Sequence, residues 1–157
     1  MKLPPDIFKL IAKNTPLICI DLILENNGLV LLGKRLNSPA KNFYFVPGGR
    51  IYKNETFLEA LKRIVLEEIN LEMVDISYSL LGLYEHRYEE NYFEDPSFNS
   101  QYFVIALKCE IEKINYLKNE QHEQFLWFNK NDLLASREVH NYTKSYFDSK
   151  FSSNKIF

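Results

Sequence analysis

The chain has 157 residues, 46% hydrophobic and 25% charged, with only 5 Gly and 6 Pro; this excludes a disordered, collagen-like or low-complexity protein and fits one globular domain over 1–157. A formal net charge of -2 leaves no basic footprint for a nucleic-acid backbone, so no nucleic acid is expected as a partner and any phosphate handled is small and held locally.

In chain order, Pro4 and Pro5 can open a short helix with Ile7, Leu10 and Ile11 on its apolar side, stopped by Asn14-Thr15-Pro16. Leu17 to Leu24 is an almost continuous apolar run interrupted by one acid, Asp21, and reads as a buried strand. Glu25-Asn26-Asn27-Gly28 is a tight-turn sequence, with Leu29 to Leu32 as the return strand. Phe43 to Val46 is a short strand ending at Pro47-Gly48-Gly49, where a bend with exposed backbone is expected. From Glu55 to about Leu71 the pattern turns helical, with Leu58, Leu61, Val65 and Ile69 recurring every three or four residues. Ile76 to His86 and Tyr102 to Ile111 are strand-like. Between them, Tyr88 to Ser100 is long enough for a functional loop, and its acids Glu89, Glu90, Glu94 and Asp95 read as a solvated lid or rim. Phe125 to Phe128 is a last strand, Asn129 an N-cap, and Val139 to Lys150 a terminal helix carrying an exposed His140. Strands on either side of one central helix predict an α+β or mixed α/β sandwich.

Cys19 and Cys109 lie far apart in apolar runs and form no CxxC or zinc pattern, so both read as buried, reduced core residues of a cytosolic protein. No apolar stretch reaches membrane-spanning length, and the first sixteen residues are too polar for a secretory signal; a cytoplasmic location without membrane partners follows as the expectation.

The chemistry is concentrated between Gly49 and Leu71. Gly49 is followed after five residues by Glu55 and after seven more by Arg63, Ile64, Val65, Leu66, Glu67, Glu68, Ile69, Asn70 and Leu71. This resembles the Nudix box, G-x5-E-x7-R-E-U-x-E-E-x-G-U, with U a bulky aliphatic residue. Seven of nine pattern positions match; Ile64 stands where the box has Glu and Asn70 where it has Gly. Asn is the next best residue for a left-handed helix end. Ile64 removes a carboxylate one turn before Glu68, which points to a single ion with few protein ligands. Glu67 sits four residues from Arg63, at pairing distance on a helix.

Further stretches are similar to the GDP-mannose mannosyl hydrolase branch of the Nudix superfamily: Thr15-Pro16-Leu17, Leu32-Gly33-Lys34-Arg35, Phe45 to Arg50, Glu120-Gln121-His122, Leu133 to Ser136, and Val139-His140. That branch also lacks the first Glu of the segment. The resemblance implies an α/β/α sandwich with a mixed central sheet, a homodimer, and Mg2+-dependent hydrolysis of GDP-mannose, with GDP-glucose as a second substrate, by water attack at the anomeric carbon. Carried over position by position, Glu68, the Gly48 carbonyl and Gln121 would hold Mg2+, with Mn2+ as a substitute, and His122 would be the general base. Arg35 and Arg50 would grip the diphosphate beside Tyr102, Asp21 would act near the sugar, and His86 would stand near the pocket. Arg35 and Tyr102 belong to the catalytic set as well. Two other readings stay open: a conventional pyrophosphohydrolase releasing GMP and a sugar 1-phosphate, and a non-catalytic nucleotide-sugar-binding module.

Overall fold

The computed structural model describes residues 2–71, 77–112 and 122–157. Among these, seven strands form one mixed sheet. They are β1 (Leu17–Asn26), β2 (Leu29–Arg35), β3 (Tyr44–Phe45), β4 (Gly48–Arg50), β5 (Ser77–Tyr88), β6 (Ser100–Glu110) and β7 (His122–Asn129). The spine runs β3-β2-β1-β6-β5, with β4 also paired to β1 and β7 to β2. Only the β1–β6 pairing is parallel among the described residues.

β1 is a near-continuous apolar run because it is covered on both sides. Ile20, Leu22 and Leu24 pack under α2 (Phe57–Ile69) with Leu61, Ile64 and Val65. Cys19 and Ile23 point the other way, toward a core completed by Leu133 of α3 (Lys130–Ala135) and by Val139 and Tyr146, which flank α4 (Asn141–Ser145). The result is the expected helix–sheet–helix sandwich. Both cysteines are buried and free, and burial pushes both thiols up, Cys109 to about 12.

α2 starts at a capping box between Thr56 and Glu59 and ends at Asn70 in the left-handed region, φ 53°. Its buried side is Ala60, Leu61, Ile64, Val65, Glu68 and Ile69, while Leu58 and Leu66 are exposed. Leu61, Val65 and Ile69 of the expected apolar stripe are thus buried, Leu58 in the first turn is not, and Glu68 is buried beside them. α1 (Pro5–Asn14) is rotated from expectation: Phe8 and Ala12 are buried against Leu17, and Ile7 and Leu10 face solvent. Phe8 is one turn from Ala12, so those two positions share the side that meets β1.

Two expectations are corrected. Gly48–Arg50 is no exposed bend but strand β4, paired in register with Cys19–Asp21. The C-terminal segment is not one helix; α4 covers five residues and a 3₁₀ turn follows at Ser149–Asn154. Local side-chain bonds interrupt it, since Ser145 Oγ donates to the Tyr142 carbonyl at 2.6 Å and Asp148 caps the second turn. The expected start of β5 at Ile76 lies outside the described residues. Among the described residues no helix is long and apolar enough to cross a membrane.

Candidate active site

A cleft of about 920 Å³ opens beside β1 and β4, and Asp21, Arg35, Gly48, Arg50, Glu68, His86 and Tyr102 all line it. Seven residues spread over more than eighty positions therefore meet in one place. Gln121 lies outside the described residues. His122 is described as backbone, standing opposite Arg35 across β7 and β2, and its side chain lies outside the description.

The glycines decide how closely the walls approach. A Cβ at Gly48 would sit 2.6 Å from Asp21 Oδ1 and 2.6 Å from the Ile20 carbonyl oxygen. A Cβ at Gly49 would sit 3.0 Å from Ile64 Cγ1. Glycine at both positions lets β4 lie flat between β1 and α2.

At the inner end Asp21 is 7% exposed, and burial raises its carboxyl to about 6, against the Tyr146 hydrogen bond and the Arg35 charge, which both lower it. The Tyr146 hydroxyl donates to Asp21 Oδ2 at 2.5 Å and lies 3.4 Å from His86 Nε2. His86 is buried, stacked on Tyr142 at 4.2 Å, and pushed down to about 3 by burial; its ring is neutral at physiological pH. Tyr102 is pushed up to about 12, again chiefly by burial, and stays a neutral phenol. His140 corrects the expectation of an exposed helix residue. It caps α4 by accepting the Tyr142 N–H at 3.1 Å, packs on Phe43 and Phe45, and is pushed down to about 4 by burial.

The two arginines differ in setting. Arg35 Nε donates to the Pro39 carbonyl at 2.8 Å, while Arg50 lays its guanidinium 3.6 Å from the Phe8 ring centroid and 5.6 Å from that of Tyr52. A third, Arg63, is structural. It forms a fork with Glu55 (2.6 and 2.8 Å), reaches Glu67 at 3.1 Å and donates to the Arg50 carbonyl at 2.8 Å. The Arg63 hydrogen bond holds the Glu55 carboxyl down at about 2.

Glu67 thus pairs with Arg63 as expected, whereas Glu68 is 3% exposed on the cleft wall. Ile64 fills the place of the first acid with a fully buried aliphatic side chain. Among the described residues no three His, Cys, Asp or Glu side chains group into a metal cage. Glu68, a buried carboxylate lining the same cleft as the Gly48–Gly49 backbone, does fit Mg2+, which typically takes one or two carboxylates and completes its shell with water and substrate phosphate.

Tyr146, Tyr142 and Phe8 escaped the sequence reading. Each is an aromatic in a segment read as plain helix, and the bond that gives Tyr146 its place spans 125 positions.

A sequence model described as NUDIX domain matches residues 15–148. The low-salt glycan biosynthesis protein Agl8 of Haloferax volcanii is 34% identical over 148 residues, 94% of this chain and 90% of that one. An ADP-ribose pyrophosphatase of Methanocaldococcus jannaschii is 39% identical over 69 residues, 44% of this chain and 40% of that protein. Among solved structures, the MutT protein from Methanosarcina mazei Go1 superposes with a TM-score of 0.69 at 19% identity, covering 88% of this chain and 95% of its own, a likeness of fold.

Proposed function

The chain belongs to the Nudix family, and from that premise we propose that it hydrolyses a nucleotide sugar, GDP-mannose first and GDP-glucose second, to GDP and free sugar. Water attacks the anomeric carbon rather than phosphorus. The observation that carries the reading is Ile64: the position of the first box acid holds a side chain 1% exposed and packed against Gly49, so the cleft wall offers Glu68 where a fuller cation site would offer more. The printed name of Agl8, a glycan biosynthesis protein, supports a sugar-linked substrate.

The residues divide the work by their chemistry. GDP is a weak base and leaves once its charge is neutralised, which Arg35 and Arg50 at the cleft supply. Glu68, the Gly48 carbonyl and Gln121 would hold Mg2+, which adds further neutralisation of the diphosphate when bound. Asp21, largely ionised at neutral pH, faces the positive charge that builds on a sugar as its C1–O bond breaks. His122, opposite Arg35, takes the proton of the attacking water. The reading includes a homodimer, which sedimentation velocity reads directly.

Phosphorus NMR of GDP-mannose with protein and Mg2+ is the test. Two mutually coupled resonances of GDP are expected; uncoupled GMP and mannose 1-phosphate signals would establish attack at phosphorus. That second reading draws on the partial likeness to an ADP-ribose pyrophosphatase and on the retained Glu67, although Glu67 is engaged by Arg63. Binding with no turnover in Mg2+ or Mn2+ would leave a sugar-nucleotide-binding module. His122→Gln is expected to lower kcat by about 10²–10⁴-fold with KM nearly unchanged; steady-state kinetics showing unaltered kcat would remove His122 as the base.

A further inference from the structure

We propose that Glu90 is a positioning residue for Arg35: its carboxylate pins residues 38–40, and the Pro39 carbonyl in that segment aims the Arg35 guanidinium at a diphosphate. The inference rests on the reading of the cleft as a nucleotide-sugar site.

Arg35 ends β2 and gives its Nε–H to the Pro39 carbonyl at 2.8 Å. Among the described residues that leaves the two terminal nitrogens of the fork for a ligand in the cleft that Arg35, Ser38 and Pro39 line together. The segment carrying Pro39 is held against its own preference. Ala40 has φ 61° and Asn42 φ 69°, left-handed values that are unfavourable for a residue with a Cβ, less so for Asn, so hydrogen bonds to other residues must keep them.

Asn42 gives its N–H to the Arg35 carbonyl at 2.9 Å, and Glu90 is the partner of Ala40. One of its carboxylate oxygens, Oε1, accepts the Ala40 N–H at 2.7 Å, and the other accepts the Ser38 hydroxyl at 3.1 Å. Its own backbone is anchored in turn, since Ser100, 3% exposed, donates its hydroxyl to the Glu90 carbonyl at 2.6 Å. Buried Asn91 closes the loop behind it, donating to the Asp95 and Phe98 carbonyls at 2.7 Å each. Lys9 then ties Asp95 to α1 at 2.8 Å. The acidic segment after β5 is therefore a fastened rim that meets the arginine loop at two acids: Glu94 pairs with Lys41 at 3.0 Å and accepts from Ser38 at 3.4 Å, and Glu90 alone of the two bonds the Ala40 backbone.

GDP binding in the presence of Mg2+, measured by titration calorimetry, tests the assignment without depending on turnover. Glu90→Ala is expected to weaken GDP binding about tenfold, the size of a lost charged hydrogen bond. Glu90→Gln keeps an acceptor for the Ala40 N–H and restores binding to within about twofold. Glu89→Ala, at the exposed neighbour, serves as the control and binds as the unmodified protein does. In an Arg35→Gln background, Glu90→Ala adds no further loss, because the residue through which it acts has gone. Full binding by Glu90→Ala, or an equal extra loss in the Arg35→Gln background, would overturn the positioning role while leaving the site intact. Absence of GDP binding by the unmodified protein would overturn the nucleotide-sugar reading, and this inference with it.

Discussion

Asp21→Asn is expected to remove most of the turnover and, at pH 7, to make the folded protein more stable. Asp21 sits in an apolar strand, 7% exposed, and its carboxyl titrates near 6 instead of its ordinary 3.8. A folded-state value above the unfolded one means that the folded chain holds the proton more tightly. The ionised carboxylate therefore costs nothing below about pH 3.8, costs progressively more as pH rises toward 6, and carries its full penalty above that. A shift from 3.8 to about 6 corresponds to a penalty on the order of 3 kcal/mol. Asn removes the charge and keeps an oxygen for the Tyr146 hydroxyl. A rise in melting temperature of roughly 5–10 °C at pH 7, shrinking toward pH 4, is expected by circular dichroism. The same substitution strips the carboxylate that the proposed mechanism sets against the developing sugar cation, and on that mechanism kcat should fall by about 10²–10³-fold. A melting temperature lower than that of the unmodified protein at pH 7 would show that the buried charge is better compensated than the Tyr146 bond and Arg35 allow.

Ile64→Glu, which rebuilds the missing box acid, should instead unfold the protein more readily without changing its products. Ile64 is 1% exposed, packs with Ile20, Leu22, Leu61 and Val65, and touches the bare backbone of Gly49. Losing its burial and placing a carboxyl there costs about 3–5 kcal/mol together. Urea unfolding should show a midpoint lowered accordingly, and phosphorus NMR on the folded fraction should still show GDP. A variant of unchanged stability that releases GMP would mean that the side chain at 64 reaches the cation freely, and the carbon-attack reading would fail.

Much of the architecture was legible from the chain alone because it rests on local patterns. The Asn27-Gly28 turn, Asn70 at the left-handed helix end and the Asn129 cap are each written within four residues, whereas the Thr56–Glu59 capping box went unread. Nudix membership was legible too, since seven box positions at fixed spacing lie on one loop and one helix. Helix phase was legible at Leu61, Val65 and Ile69, which are buried, but not at Leu58, exposed in the first turn, nor at Glu68, a charged residue that is buried. The C-terminal helix was overextended because Ser145 and Asp148 compete for backbone partners.

What the sequence by itself determined is the set of chemical groups and their local geometry: acids, arginines and glycines on elements whose starts and stops are coded by neighbours. What only the tertiary structure decided is which groups share an environment. Asp21 and Tyr146 are 125 positions apart, Ala40 and Glu90 are 50 apart, and Phe8 covers Arg50 from a helix that precedes the sheet. Such pairings depend on which chain segments the sheet and its loops bring side by side, and a carboxyl raised to about 6 exists only once the water around Asp21 has been displaced.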